Sequence, residues 1–170
     1  MIGPFLVSGI LVIVALALLL WPRVGLPARL RRGRRMSERV YREDALKHIH
    51  MSEVEGRRPT LLSIAGALGI GPNEAAALVG RMERDGLLAD AAGTPRLTPA
   101  GRDAALHVIR AHRLWERYLA EETGYDEADW HGRAEAREHD LSPAELDALA
   151  ARLGHPTHDP HGDPIPAPDG

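Results

Sequence analysis

The chain has 170 residues, with 24 acidic and 21 basic side chains, nine histidines and no cysteine. The formal net charge of −3 removes any global charge argument for nucleic-acid binding, so only a local one can be made. The absence of cysteine excludes disulfide bonds and thiolate metal sites, and it fits a reducing compartment.

Residues 1–22 contain no charged side chain, and the stretch from Phe5 to Trp21 is almost wholly apolar. About 20 such residues in a helix span the ~30 Å hydrocarbon layer, which predicts a transmembrane helix over residues 1–22. A cleaved signal peptide, the alternative, would have a basic stretch before the apolar run and a small-residue cleavage site after it, and neither is present. We therefore expect a single-pass anchor in the cell inner membrane, with the lipid bilayer as a partner.

An arginine-rich stretch over residues 23–37 follows the apolar run and is predicted to be a basic juxtamembrane linker. By the positive-inside tendency, this charge predicts that the rest of the chain faces the cytoplasm. The arginines could contact anionic lipid headgroups or DNA, and we favour lipid because that contact needs only proximity.

Residues 38–98 predict a winged helix-turn-helix domain. Its first helix is expected from Glu38 to Glu55, Thr60 can cap a short second helix, and Pro72 suits the first position of a third. Two short helices joined by a glycine-containing turn are typical of a helix-turn-helix. The stretch LLADAAGTPRLT then places two short segments around a Gly-Thr-Pro turn, which predicts a small β-wing with Arg96 near its tip.

Residues 99–154 predict an all-helical domain, which makes the fold mainly α. Thr98 can cap a long helix, and further helices are expected to begin at about Asp126 and at Ser142. The tail over residues 155–170 has too much proline and too few large apolar residues to fold alone. The histidines of this tail could bind metal, but we favour the interpretation that the tail is a linker.

The segment HGRAEAREHD places His131, Glu135, Glu138 and His139 at relative positions 0, +4, +7 and +8. On one helix these positions form a single stripe, which an ordinary amphipathic helix fills with apolar side chains. Buried carboxylates and imidazoles are costly unless partnered, and a divalent cation satisfies several of them at once. The spacing therefore favours a metal site on this stripe.

The preceding helix carries a matching pair, His112 and Glu116, on one face. Packing that face against the stripe would assemble one or two sites between helices. Nitrogen and oxygen ligands without thiolate suit Mn(II), Fe(II), Co(II) or Zn(II). The alternative is a solvated face, because Arg133 and Arg137 are close enough to pair with the carboxylates, but the scarcity of apolar cover on this helix favours metal.

Several motifs occur in one order: RMERDGL, LTPAGR, AHRLWERYL, EAREHDLS and PHGDPIP. Through them, residues 43–166 resemble the diphtheria toxin repressor and manganese transport regulator family of metal-dependent bacterial repressors. The resemblance implies a winged helix-turn-helix followed by an all-helical metal-binding and dimerisation domain. The added membrane helix and the missing SH3-like third domain depart from the family pattern.

The resemblance also implies the metal ligands. The family's primary site corresponds here to Asp44, Glu135, Glu138 and His139, and its ancillary site corresponds to His112, Glu116 and His131. Asp44 and Glu135 resemble the hard ligands of the manganese-responsive branch, so the expected cofactor is Mn(II) or Fe(II). Lys47 stands where that branch supplies a further carboxylate, which argues against a manganese-type two-metal cluster.

By the same resemblance, PNEAAALVGRM is the recognition helix. The candidate DNA contacts are Asn73, Ala76, Ala77, Arg81, Arg84 and the wing residue Arg96. Ala76 and Ala77 offer a methyl contact to thymine but no hydrogen bond, and Glu74 repels phosphate, so direct readout is expected to be weak.

The function implied is a membrane-anchored, metal-dependent DNA-binding regulator of metal homeostasis, dimeric through the helices that carry Trp115, Tyr118 and Trp130. Metal binding would shift the population toward the form that matches two DNA half-sites. The alternative is a membrane-tethered metal-sensing module that has lost specific DNA binding and acts on a membrane partner such as a metal transporter. An enzyme is disfavoured, because every carboxylate of the stripe is needed as a ligand and no substrate pocket is evident.

Overall fold

A computed structural model describes residues 26–91 and 93–168. The chain divides into two compact units, Met1–Val40 and Tyr41–Gly170, and the second contains the winged helix and the helical domain. The transmembrane helix predicted for residues 1–22 lies outside the described residues.

The first helix, α1, runs over Leu26–Val54 and so begins well before the predicted start at Glu38. Residues 26–37, predicted to be a linker, are therefore helical. Pro27 lies in the first turn, where a missing backbone N–H costs nothing. The arginine, alanine, leucine and methionine residues that follow are strong helix formers, and the single Gly33 is too weak a signal to end the helix.

The helix-turn-helix consists of α2 (Leu61–Leu68) and α3 (Pro72–Arg84), as predicted. Thr60 caps α2 in a reciprocal hydrogen-bonded pair with Ser63, and the left-handed Gly69 ends the helix. The domain core is apolar and fully buried, with Ile49 from α1, Ile64 from α2 and Met82 from α3.

The wing consists of β1 (Leu88–Ala91) and β2 (Thr94–Leu97), which pair antiparallel. Arg96 lies opposite Ala89 in the body of the wing rather than near its tip. Glu53 of α1 accepts hydrogen bonds from the Leu97 backbone N–H (3.2 Å) and from the Arg102 guanidinium (2.9 Å). The first bond attaches the wing strand β2 to α1, and the second attaches the helix that follows the wing to α1.

Three helices follow: α4 (Pro99–Glu122), α5 (Glu127–Glu135) and α6 (Pro143–Arg152). Their starts agree with the predictions, but the stripe does not lie on one helix, because α5 ends at Glu135 and residues 136–140 form turns. Pro143 limits how far any helix could continue past Glu135. The residue before a proline avoids the helical region, and Ser142 is extended so that it can cap α6.

The tail over residues 155–168 is ordered against α4. A bridge pairs His158 with Pro164, and the buried Asp159 carboxylate accepts hydrogen bonds from the His161 and Asp163 backbone N–H groups, both at 2.9 Å. Arg110 of α4 donates to the Pro166 carbonyl at 3.0 Å. A segment that cannot fold alone is therefore held by contacts with the helical domain.

Within residues 26–91 and 93–168, no single helix is both long and apolar enough to cross a bilayer. The pair α2 and α3, bent by 107° at the turn between them, meets the length and composition test only when both helices are counted together.

Candidate metal centre

Two clusters of ligand-type side chains lie in the second unit. The first cluster consists of Asp44 on α1 with Glu138 and His139 on the turns after α5. The second cluster consists of His112 and Glu116 on α4 with His131 on α5. Within each cluster, one ligand atom from each residue lies within 4.8 Å of the others.

In the first cluster, the His139 ring is placed between carboxylates. Its Nε2 is 3.2 Å from Asp44 Oδ1 and 3.7 Å from Glu138 Oε1, and its Nδ1 is 2.7 Å from Glu43 Oε2. Burial disfavours the charged ring, but the hydrogen bonds to Asp44 and Glu43 outweigh burial and raise the pKa of His139 to about 9. His139 therefore holds a proton at neutral pH that a metal ion would have to displace.

Glu138 is the most buried acidic residue of the first cluster, with its side chain 1% exposed. Lys47 Nζ, on the same helix as Asp44, donates to Glu138 Oε1 and to Glu138 Oε2, both at 3.0 Å. A buried carboxylate needs such a partner, because removal from water is costly for an uncompensated charge.

The second cluster is a compact triangle. His112 Nε2 lies 3.1 Å from Glu116 Oε1 and 3.1 Å from His131 Nδ1, and His131 Nδ1 lies 3.1 Å from the same Glu116 oxygen. Burial opposes charge on both His112 and Glu116. The hydrogen bonds of His112 to Glu116 and Glu138 together outweigh burial and raise the pKa of His112, while the hydrogen bonds of Glu116 to His112 and His131, with the charge of His112, lower the pKa of Glu116.

Glu138 joins the two clusters. Its Oε2 is 2.5 Å from His112 Nδ1 in the second cluster, while its Oε1 faces His139 in the first. The two groups therefore form one hydrogen-bonded network across α1, α4, α5 and the turns after α5.

Six of the seven metal ligands predicted from the sequence fall into these clusters, and Glu135 does not. Its side chain is 58% exposed, and its Oε1 lies 3.4 Å from His131 Nε2. Because α5 ends at Glu135, this residue stays on the helix with His131 while Glu138 and His139 turn toward α1. The predicted grouping of Glu135 with Glu138 is thus replaced by a contact beside the second cluster.

Sequence reasoning missed Glu43 as a member of the site. Adjacent residues on a helix do not share a face, so spacing gave no reason to pair Glu43 with Asp44. The two nitrogens of the His139 ring reach both carboxylates, one on each side. The run of two carboxylates at positions 43 and 44 was the only available signal.

The donor set fits a divalent transition metal. The clusters offer carboxylate oxygens and imidazole nitrogens without sulfur, which suits Mn(II) or Fe(II). Two ligands of one ion at about 2.2 Å are at most about 4.4 Å apart, so small side-chain rotations would bring either cluster to bonding distance. Asp44, Glu138 and His139 would hold one ion, and His112, Glu116 and His131 would hold another.

The predicted DNA contacts lie on α3 and the wing. Asn73, Ala76, Ala77, Arg84 and Arg96 are exposed. Arg81 is half-buried, and the acidic Glu74 and Glu83 are also exposed on α3. The outer face of this helix therefore mixes small, acidic and basic side chains.

An aromatic groove of about 560 Å³ lies along α4 and α5, at the position predicted for dimerisation. Trp115, Tyr118 and Tyr125 line the groove. Arg133 lies over the Tyr125 ring, and Arg137 lies over the Trp115 ring. Trp130 is not one of the lining residues. It donates to the Tyr125 carbonyl at 2.9 Å and lies beside His161 of the tail.

The fold is that of a winged-helix protein with a helical second domain that carries two clusters of metal-ligand-type side chains. Residues 98–167 match the family model described as iron dependent repressor, metal binding and dimerisation domain. A manganese-dependent transcriptional repressor solved in complex with manganese is 35% identical, with a TM-score of 0.71 over 76% of this chain and 60% of that one.

Curated relatives agree with this match. The iron-dependent repressor IdeR of Mycobacterium tuberculosis is 38% identical over 122 residues, 71% of this chain and 53% of the relative. The diphtheria toxin repressor of Corynebacterium diphtheriae is 37% identical over 125 residues, 73% of this chain and 55% of the relative. The chain spans about half the length of these relatives. Together the family model, the curated relatives and the solved structure show that this chain is similar to the diphtheria toxin repressor and IdeR family of metal-dependent repressors.

A protein of a different kind is similar in sequence to part of this chain. A probable metal transport system membrane protein of Chlamydia trachomatis is 42% identical over 71 residues, which is 41% of this chain and 16% of that protein. Sequence related to this family thus also occurs within a much longer membrane protein.

Proposed function

We propose that this chain is a metal-dependent DNA-binding transcriptional regulator of metal homeostasis that uses Mn(II) or Fe(II). The observation that carries the proposal is the composition of the first cluster. Asp44 comes from the winged-helix domain, and Glu138 and His139 come from the helical domain. One ion bound by all three would restrain the position of α1 relative to the helical domain.

A bound divalent ion would supply positive charge to the Asp44 and Glu138 carboxylates, and His139 would release its proton to bind it. The closed arrangement, in which α1 and the helical domain both contribute ligands, would bind such an ion best, so its population would rise when metal is present. Two copies joined along the aromatic groove would then present their α3 helices at a fixed spacing to two DNA half-sites. No chemical reaction is required, so the proposed role is regulatory rather than enzymatic.

The test is fluorescence anisotropy of labelled DNA from the protein's own upstream region, titrated with the full chain in detergent micelles. We expect binding with Mn(II) or Fe(II), little binding with chelator, and no competition by excess unrelated DNA. His139→Ala should remove the metal response, whereas Arg58→Ala, in the exposed loop after α1, should not. Metal-independent binding by the wild type would refute the proposal.

We also propose that residues 1–22 anchor the chain in the cell inner membrane, with the later domains in the cytoplasm. The support is the uncharged, apolar composition of this segment and the arginines that follow it. The test is fractionation of cells with a carbonate wash. An anchored chain stays in the membrane pellet, and its release into the wash would refute the anchor.

A second candidate is a membrane-tethered metal sensor that has lost specific DNA binding and acts on a membrane partner. Two observations favour it: the alanines and Glu74 on the exposed face of α3, and the sequence shared with a probable metal transport system membrane protein. It predicts metal binding without specific DNA affinity in the anisotropy experiment. The two candidates therefore give opposite results in one assay.

A further inference from the structure

Lys47 has an unusual position in this chain. It is the only lysine among 21 basic residues, the rest being arginine, and it lies three residues after Asp44 on α1. Its ammonium is 3.0 Å from both oxygens of Glu138 and 3.5 Å from His112 Nδ1. The chain's single ammonium side chain thus lies between the two clusters, against the residue that joins them.

The same Glu138 carboxylate is needed by a metal ion in the first cluster. Its Oε1 is the ligand atom that faces His139, and it is also one of the two oxygens that Lys47 binds. Two cations that share one carboxylate repel each other, and the repulsion is strong where water is scarce. The Glu138 side chain is almost fully buried, so water screens this contact poorly.

Lys47 can also leave this position. Its side chain is 25% exposed, so a rotation of the flexible stem would return the ammonium to solvent. An arginine at position 47 would present a planar guanidinium group with several fixed donors instead of one compact ammonium. A lysine provides a compact, mobile charge that an incoming ion can displace.

We propose that Lys47 is an internal cation that competes with the divalent metal for Glu138, and that it thereby sets the metal concentration at which the first cluster fills. This inference rests on the metal binding in the proposed function. It assigns Lys47 a role in setting affinity, not the role of a ligand. Without metal, the Lys47 ammonium balances the negative charge of Glu138. Metal uptake requires the Lys47 side chain to move away.

The main test is calorimetric titration of the full chain with Mn(II), using two substitutions of Lys47. Lys47→Met keeps a stem of similar length without the charge, and it is expected to bind Mn(II) at least about tenfold more tightly than the wild type. Lys47→Arg keeps the charge, so it should not show the tighter Mn(II) binding of Lys47→Met. Arg58→Met removes one exposed positive charge elsewhere and should change nothing.

Stability provides an independent readout. Lys47→Met removes the lysine charge that faces the buried Glu138, so we expect a lower unfolding temperature than wild type in chelator. Saturating Mn(II) should restore stability, because the ion takes the place of the ammonium. A variant that is equally destabilised with and without Mn(II) would identify Lys47 as merely structural and overturn the inference.

The single lysine also permits direct observation. In protein labelled with ¹³C-lysine, the ε-carbon gives one signal, and addition of diamagnetic Zn(II) should shift it toward the position of a solvated lysine. An unchanged signal in a Zn(II)-loaded sample would overturn the inference. Equal Mn(II) affinity of wild type and Lys47→Met would overturn it as well, while metal binding itself stood. Absence of binding by every variant would instead refute the proposed function.

Discussion

Replacement of Gly101 by alanine should displace the wing from the long helix α4. Gly101 lies in the first turn of α4 and donates its N–H to the capping hydroxyl of Thr98 at 3.1 Å. A Cβ added at this position would lie 2.0 Å from the Leu87 carbonyl oxygen and 3.0 Å from the Leu87 carbonyl carbon. Both are backbone atoms, so no side-chain rotation relieves the clash.

The magnitude follows from how far the backbone must move. The added Cβ reaches ordinary contact only beyond 3.4 Å, so the helix start and the segment before β1 must separate by more than an ångström. Overpacking of this kind costs typically about 1–3 kcal/mol. The separation also strains the Thr98 hydrogen bonds to the Gly86 and Leu87 carbonyls, each worth about 1 kcal/mol. We expect a loss of about 3 kcal/mol in the free energy of unfolding.

Urea unfolding followed by circular dichroism measures this loss. Gly66→Ala is the matched control, because Gly66 lies inside α2 and an added Cβ meets nothing within 4 Å. That substitution should stabilise the protein by up to about 1 kcal/mol, since alanine is the better helix former. If Gly101→Ala unfolds at the same urea concentration as Gly66→Ala, the close approach to Leu87 is not real and the reasoning fails.

Three further predictions concern the clusters and the tail. Glu138→Gln should weaken Mn(II) binding in calorimetry at least about tenfold, because Glu138 belongs to the first cluster. Glu135→Gln, outside both clusters, should change it less than about threefold. Equal effects of the two substitutions would contradict the separation of Glu135 from Glu138. In chelator, the stabilisation contributed by His139 should be complete below about pH 6.5 and lost as the pH rises through about 9, because its pKa is raised by folding. Urea unfolding of wild type and His139→Gln across this range measures it, and a pH-independent difference between them would refute the raised pKa. Asp159→Ala should make the tail accessible to protease under native conditions, because the carboxylate holds two backbone N–H groups of the tail. Unchanged cleavage would show that other contacts suffice.

Local hydrogen-bond chemistry explains why most helix starts were predictable from sequence. Thr60, Thr98 and Ser142 each accept a hydrogen bond from a backbone N–H in the first turn of the helix that follows. Pro72 needs only the fixed φ of its own ring. Each of these signals acts within a few residues, so the sequence itself determined where these four helices begin.

The ligand groups were only partly predictable, because they depend on where a helix stops. A continuous helix would have kept Glu135, Glu138 and His139 on one face, as the spacing predicted. The helix instead ends at Glu135, well before the extended Ser142, and Glu138 and His139 then reach α1 and α4. The sequence indicated which residue types would bind metal but not how they divide between two clusters.

By itself, the sequence determined the order of the elements, the residue types of the clusters and the family, since caps, turns and motifs are local in the chain. Only the tertiary structure decided that Lys47 binds Glu138, 91 residues away, and that His139 lies between Glu43 and Asp44. It also decided that the proline-rich tail packs on α4 through Arg110. These contacts join residues that are far apart in the sequence, so residue spacing within one helix does not predict them. They form only when the helices pack together.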